Sequence, residues 1–205
     1  MKAEKKNLIL DTAEQLMCIM PDKDITVNII AQNAGIGKGS IYYYFESKDE
    51  IINAVIERTY KKALHEYFSV IDSETSAIDK IKHLFQSIIK PEFKDSRKNM
   101  IRTLNLHEDA HLHNRMKLVA INEVSPVLAD LFKQGIREGT IHTDSPDESA
   151  EMLVSVITFF LDSSLFDFED EKMKKKMKIL GSVLDTCLQA PQGSFDFLYD
   201  IKKYH

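Results

Sequence analysis

Apolar residues recur every three or four positions through most of this chain, and this spacing predicts helices. No stretch alternates between apolar and polar positions convincingly enough to predict a strand. The predicted helices cover residues 5–20, 27–34, 38–45, 48–68, 77–90, 93–107, 112–138, 146–166 and 169–188, followed by a short one over 195–204. The pattern therefore predicts an all-α fold.

Two of the predicted helices are short and are separated by a tight turn. Thr26 is a good N-cap for the first, because its hydroxyl can accept a hydrogen bond from an amide of the first turn. Gly35 follows that helix where a left-handed residue commonly ends one. The second helix, Lys38 to Phe45, begins after only two more residues, and Ser47 then caps the long helix that follows. This spacing predicts a helix-turn-helix, whose second helix enters the major groove of DNA.

The second short helix has an unusual composition. Glycine costs a helix about 1 kcal/mol relative to alanine, so Gly39 favours close approach of another molecule, such as DNA. Three consecutive tyrosines cannot all face inward, whereas Ile41 and Phe45 are predicted to be core. Lys38 and Ser40 offer hydrogen bonds to bases, and tyrosine hydroxyls and a further lysine offer bonds to phosphates. The residues predicted to contact DNA are Thr26, Lys38, Gly39, Ser40, Tyr42, Tyr43, Tyr44 and Lys48.

The charge of the chain limits how it can bind DNA. The formal net charge is −5, and the first 60 residues hold seven lysines and arginines against nine aspartates and glutamates. A broad cationic patch is therefore not expected in this region. Contacts to phosphates have to come from a few placed side chains, from backbone amides and from helix dipoles.

The remaining composition predicts a cytoplasmic protein. Cys18 and Cys187 both lie in apolar-periodic stretches, which predicts two reduced core residues. No stretch reaches the roughly 18 apolar residues that a membrane span needs. The apolar run near the N-terminus is too short for a signal peptide. We expect no cofactor, no bound metal and no membrane association.

The run TVNIIAQNAGIGKGSIYYYFESK, residues 26–48, closely resembles the N-terminal signature of the TetR family of bacterial repressors. The matching positions are Thr26, Ile30-Ala31, Ala34-Gly35, Lys38-Gly39, Ile41-Tyr42, Tyr44-Phe45 and Ser47-Lys48. Gly37 departs from the family, which more often has serine there, and this puts one side-chain contact to phosphate in doubt. The strong resemblance covers about the first 60 residues. Beyond them the chain matches in helix count and order and in a similar linker over 139–144.

The resemblance implies a regulator rather than an enzyme, with nine or ten helices. Residues 1–60 would be a three-helix DNA-binding domain, and residues 61–205 a larger ligand-binding and dimerisation domain. Two subunits would pair through the helices predicted over 146–166 and 169–188, as a four-helix bundle. A small molecule would enter a pocket among the middle helices, change the spacing of the two DNA-binding domains, and release the homodimer from its double-stranded DNA operator.

Apolar residues of the second domain are candidates for lining that pocket, although plain core is the expected role of any single one. The candidates are Met100, Leu104, Met116, Val119, Met152, Val156, Phe159 and Phe160. No obviously buried charge accompanies them in the sequence. We therefore expect the small-molecule effector to be largely apolar.

Two alternative functions remain open from the sequence. His107, Glu108 and His111 fit the H-E-x-x-H pattern of zinc metalloproteases. The motif falls between two predicted helices, however, and His113 is too close to be the usual third ligand, which favours an exposed helix end. Adventitious binding of a divalent metal by His107, His111 and His113 is a weaker form of the same idea. The other alternative is an architectural protein that binds DNA without ligand control.

Overall fold

The computed structural model describes residues 2–20, 22–89, 110–160 and 170–199, and every regular element in these ranges is helical. In chain order the elements are α1 (Lys2–Met17), a 3-10 turn (Asp22–Asp24), α2 (Val27–Asn33), α3 (Lys38–Tyr42), α4 (Lys48–Val70), α5 (Ala77–Ile89), α6 (Ala110–Glu138), α7 (Pro146–Phe160), α8 (Asp170–Cys187) and a second 3-10 turn (Asp196–Leu198). The predicted all-α fold is confirmed.

The described residues divide into two compact units. The first unit holds those up to Lys61 together with residues 110–119, and the second holds residues 62–89 and everything described from Ala120 onward. Both α4 and α6 begin in the first unit and continue into the second.

The first unit is built on the apolar faces of α1 to α4 and of the start of α6. Apolar positions three or four residues apart on α1 and α4 share one side of each helix, and that side is buried. The buried apolar side chains of this unit are Ile9, Leu10, Ala13, Leu16, Met17, Ile25, Ile30, Ala31, Ile41, Phe45, Ile51, Ile52, Val55, Ile56, Tyr60, Met116 and Val119. The Arg58 guanidinium of α4 pairs with Asp11 at 2.6 Å and with Glu14 at 2.5 Å, which joins α4 to α1.

The second unit is fastened by hydrogen bonds as well as by a core that contains Phe132 and Phe195. The Asp185 carboxylate of α8 accepts bonds from two backbone amides of the C-terminal turn, from Gly193 at 2.7 Å and from Phe195 at 3.2 Å. These bonds hold the turn against α8. The buried Tyr67 hydroxyl donates to the carbonyl of Lys80 at 2.9 Å, and burial raises the pKa of Tyr67 to about 12.

Some predicted helix limits differ from the structure. The second short helix ends at Tyr42 and not at Phe45. Just past Tyr42 the regular pattern is interrupted, because the amide of Tyr44 donates to the carbonyl of Ile41, three residues back, at 2.9 Å. The next helix is then capped by the Ser47 hydroxyl, which accepts from the amide of Glu50 at 3.1 Å. The helix predicted over 195–204 is a 3-10 turn of three residues. The helix predicted over 93–107 lies outside the described residues.

Two further observations concern predictions about the chain's surroundings. Within the described ranges, no helix is both long and apolar enough to cross a membrane. Cys18 is half-buried, and burial, with a smaller effect of Glu14, raises the pKa of its thiol. Cys187 is exposed, so the prediction that both cysteines are core residues is wrong for Cys187.

Candidate nucleic-acid interface

Both ends of α2, the first helix of the helix-turn-helix, are capped. The Thr26 hydroxyl accepts a hydrogen bond from the amide of Ile29 at 3.2 Å, which satisfies one of the free amides at the start of α2. After α2 the chain turns at Gly35, whose φ of +66° is costly for residues with a Cβ. The amide of Ile36 then donates back to the carbonyl of Ala31 at 3.0 Å. Both predicted caps are confirmed.

The buried side of this motif fixes α2 and α3 to the core. Ile30 and Ala31 of α2 are 0% and 5% exposed, and Ile41 of α3 is 0% exposed. Phe45, just after α3, is 2% exposed. The prediction that Ile41 and Phe45 are core residues is confirmed. With these side chains turned inward, the other side of α3 has to face solvent.

The outward side of α3 presents the residues singled out in the sequence. Lys38 and Gly39 are exposed, Ser40 is partly exposed, and Tyr42 and Tyr43 are 50% and 66% exposed. A Cβ added to Gly39 would meet no atom of the chain within 4 Å. Internal packing therefore gives no reason for glycine at this position, and the surface is open to another molecule.

Lysine ammonium groups lie close to aromatic rings on and beside α3. The Lys38 ammonium lies 5.8 Å from the centroid of the Tyr42 ring. The Tyr44 ring is partly buried and meets the Tyr43 ring edge-on, with centroids 4.9 Å apart. Lys6 of α1 lies with its ammonium 5.4 Å from the centroid of the Phe45 ring. Lys6 could not be predicted from the sequence, because it lies far from the motif along the chain.

The first turn of α4 completes the motif and contains three charged residues. Lys48 begins the helix and is partly exposed. The Glu50 carboxylate accepts from the amide of Glu46 at 2.6 Å, so it is used within the motif. The Asp49 carboxylate pairs with the guanidinium of Arg115, which belongs to α6, at 3.2 Å. Arg115 is a second residue near the motif that sequence reasoning missed.

Two family models match this chain. Residues 9–55 match the model described as bacterial regulatory proteins, tetR family, and residues 93–182 match a tetracyclin repressor-like C-terminal domain. The protein belongs to the TetR family of bacterial transcriptional regulators. The helix-turn-helix of residues 26–48 lies within the first matched region. The chain thus has a DNA-binding domain at its N-terminus, followed by a larger C-terminal domain.

Individual TetR-family proteins are similar along most of the chain. The transcriptional repressor KstR2 of Mycolicibacterium smegmatis is 24% identical over 69% of this chain and 70% of its own length. The regulator YhgD of Bacillus subtilis is 20% identical over 90% of this chain and 95% of its own. The crystal structure of RolR in complex with resorcinol has a TM-score of 0.68 at 13% identity, covering 100% of this chain and 97% of that one. The last similarity concerns the fold.

The residues predicted to line a ligand pocket fall in different surroundings. Met116 and Val119 are buried in the first unit, whereas Met152, Val156 and Phe159 are 58%, 41% and 47% exposed on α7. These three lie on the side of α7 that faces away from its buried residues Ala150, Leu153 and Val154, and their place in a pocket stays a prediction. Phe160 is partly exposed beside Lys176, whose ammonium lies 4.8 Å from its ring centroid. Met100 and Leu104 lie outside the described residues.

One observation bears on the expectation of a largely apolar effector, which itself stays a prediction. Lys117 is only 5% exposed, so α6 does bury a charged side chain beside Met116. An exposed apolar face cannot be distinguished from a buried one by periodicity alone, and neither can a buried lysine from an exposed one.

The alternative metal site falls mostly outside what the structure describes. His107 and Glu108 lie in the undescribed range, and the surroundings of the His111 and His113 side chains are likewise not described. Among the described residues no three histidine, cysteine or acidic side chains come together as metal ligands. The zinc motif therefore stays an untested alternative from the sequence.

Proposed function

We propose that this TetR-family regulator is a homodimeric repressor that binds operator DNA and is released by a small-molecule effector. In this proposal residues 1–60 form the DNA-binding domain, and residues 61–205 bind the effector and pair the subunits. The observation that carries it is the outward surface formed by α3 and the residue after it, where Lys38, Gly39 and the exposed tyrosines Tyr42 and Tyr43 face solvent while Ile41 is buried. Since a repressor acts on the chromosome, we expect it in the cytoplasm.

The proposed contacts fall into two groups, those to base edges and those to phosphates. Lys38 and Ser40 would bond to base edges, and Gly39 would let the backbone of α3 approach the groove. Tyr42, Tyr43 and Lys48 would hold phosphates, with Tyr44 positioning Tyr43 through their edge-on ring contact. Thr26 would act at the backbone near the start of α2. The motif has few cations, so operator affinity should depend on each of these contacts.

A gel-shift titration with the DNA upstream of the protein's own gene tests the DNA-binding function. We expect binding that prefers this fragment over unrelated DNA and weakens as salt rises. Tyr42→Ala should weaken it about two- to tenfold, the equivalent of one hydrogen bond. Phe68→Ala is the matched control, because Phe68 is an aromatic residue with similar exposure, 55%, in the second unit. Binding with no sequence preference at any tested salt would refute the proposal.

The homodimer is supported by two apolar stripes on the second unit. Met152, Val156 and Phe159 recur at helical spacing on α7, and Ile179 and Val183 do so on α8, where they are 64% and 48% exposed. With Cys187 and neighbouring side chains, the α8 stripe lines a shallow, mainly apolar groove. Apolar rows of this kind commonly mark protein interfaces. We propose that a second copy of the chain covers both stripes.

The effector is proposed to be small and largely apolar. Buried Met116 and Val119 support an apolar binding region, and the solved structure of RolR with resorcinol supports a small effector. A thermal-shift screen should find a compound that stabilises the protein and also releases it from DNA. If stabilising compounds leave DNA binding unchanged, the architectural alternative is favoured.

A further inference from the structure

The ion pair between Asp49 and Arg115 joins the helix-turn-helix to a residue 66 positions further along the chain. One guanidinium nitrogen lies 3.2 Å from the Asp49 carboxylate. The other donates to the same carboxylate oxygen at 3.2 Å and to the backbone carbonyl of Asp49 at 3.4 Å. The Arg115 side chain is only 14% exposed, while that of Asp49 is 61% exposed. The mostly buried Arg115 guanidinium thus pairs with one oxygen of a carboxylate that is otherwise exposed to solvent.

The position of Asp49 makes its charge matter for DNA binding. It directly follows Lys48, for which we propose a phosphate contact, and it lies in the first turn of a 23-residue helix. The other carboxylate of that turn, Glu50, accepts from the amide of Glu46 and stays within the motif. An uncompensated carboxylate at Asp49 would repel the phosphates that Lys48 attracts, in a region that has more acidic than basic residues.

We propose that Arg115 is a positioning residue for operator binding, which neutralises Asp49 and so permits phosphate to lie beside the first turn of α4. This inference rests on the DNA-binding function proposed above. It assigns part of the DNA-binding surface to a residue outside residues 1–60, although Arg115 belongs to the same compact unit.

Three variants test the proposal by operator affinity: Arg115→Gln, Asp49→Asn and the double variant. Arg115→Gln should weaken binding about three- to tenfold, because it leaves the Asp49 carboxylate uncompensated. Asp49→Asn should bind at least as tightly as the wild type. The operator affinity of the double variant should be within about twofold of the wild-type value, because this variant leaves neither charge of the pair without its counter-charge. Recovered affinity in the double variant distinguishes charge neutralisation from a purely structural role of the ion pair. Loss of a structural ion pair would weaken operator binding in all three variants alike.

The salt dependence of operator binding is a second measurement, which a purely structural role of Arg115 would leave unchanged. The ratio of the Arg115→Gln and wild-type dissociation constants should shrink between about 0.05 M and 0.3 M salt, since screening weakens the repulsion. Lys133→Gln is the matched control, because it breaks a comparable ion pair with Asp147, 2.8 Å long, in the second unit. Circular dichroism checks that each variant is folded.

The outcomes separate this proposal from the one it rests on. If the wild type does not prefer its operator, the DNA-binding function fails. If the wild type binds and Arg115→Gln binds equally well, or the double variant stays as weak as Arg115→Gln, only the role given to Arg115 is refuted.

Discussion

Gly39 lies at a helical position where the packing of the chain gives no reason for glycine. It lies inside α3, where glycine is unfavourable, and a Cβ built on it would contact nothing in the chain. Gly35 is the opposite case, because its φ of +66° gives a conformational reason for glycine. The first glycine therefore points to a partner outside the chain, and the second to the turn itself.

Replacing these two glycines separates stability from DNA binding. Gly39→Ala should raise the free energy of unfolding by up to about 1 kcal/mol, since alanine favours the helix, and should weaken operator binding because a methyl group enters the interface. Gly35→Ala should lower the free energy of unfolding by about 1–2 kcal/mol, because alanine is strained at positive φ. Chemical denaturation and gel shift measure the two effects. A Gly39→Ala protein that binds DNA like the wild type would contradict the close approach.

The caps were predictable from the sequence because they are local. Thr26 and Gly35 each act within a few residues of their own position, and the structure places both as predicted. Arg115 was not predictable, since nothing in the sequence relates it to Asp49. The exposure of Met152 was also missed, because a helix that is apolar on most sides does not reveal which side meets its own core.

The elements of the second unit depend on a few polar attachments between them. The Asp185 carboxylate of α8 binds the amides of Gly193 and Phe195, and Phe195 is completely buried. A Cβ added to Gly181 would lie 3.0 Å from the carbonyl oxygen of Phe195. The C-terminal turn is therefore fitted closely against α8 as well as hydrogen-bonded to it.

Asp185→Ala should release this turn. Two amides would lose their acceptor, so the free energy of unfolding should fall by about 1–3 kcal/mol. Asp144→Ala is a suitable control, because Asp144 is an exposed acidic residue of the same unit. Urea denaturation followed by circular dichroism measures both. Equal stability of Asp185→Ala and the wild type would mean that the carboxylate does not secure the turn.

Helix limits show where sequence patterns lose precision. The apolar pattern runs on through Phe45, so it predicted a helix three residues longer than α3. Only three residues after Tyr42, the cap of the next helix begins, with hydrogen bonds among Glu46, Ser47 and Glu50. A pattern that scores one helix at a time cannot weigh two neighbouring helices against each other.

The molecule as a whole is proposed to act as a pair. Operators for helix-turn-helix dimers place two half-sites about one turn of DNA apart, so two DNA-binding domains have to be held at a fixed spacing. The few cations of one domain make binding by a single copy weak. The apolar stripes of α7 and α8 are the surfaces on which the pairing is proposed to depend.

Val183→Asp should separate the two subunits. A carboxylate in the α8 stripe would be buried without a partner in the dimer, although it is tolerated in a monomer in which Val183 is 48% exposed. We expect sedimentation to show a monomer, and operator affinity to fall by about a hundredfold or more. Ile136→Asp, at a position 37% exposed outside both stripes, should remain dimeric. A Val183→Asp dimer with unchanged affinity would contradict the proposed interface.

Footprinting of the DNA upstream of the protein's own gene examines recognition and pairing together. Binding by two α3 helices predicts two protected half-sites, related by a two-fold axis, with centres about 34–36 Å or a multiple of that distance apart. Tyr42→Ala should require more protein for the same protection without shifting its boundaries. Protection without boundaries, or none at any protein concentration, would contradict sequence-specific DNA binding by this helix-turn-helix.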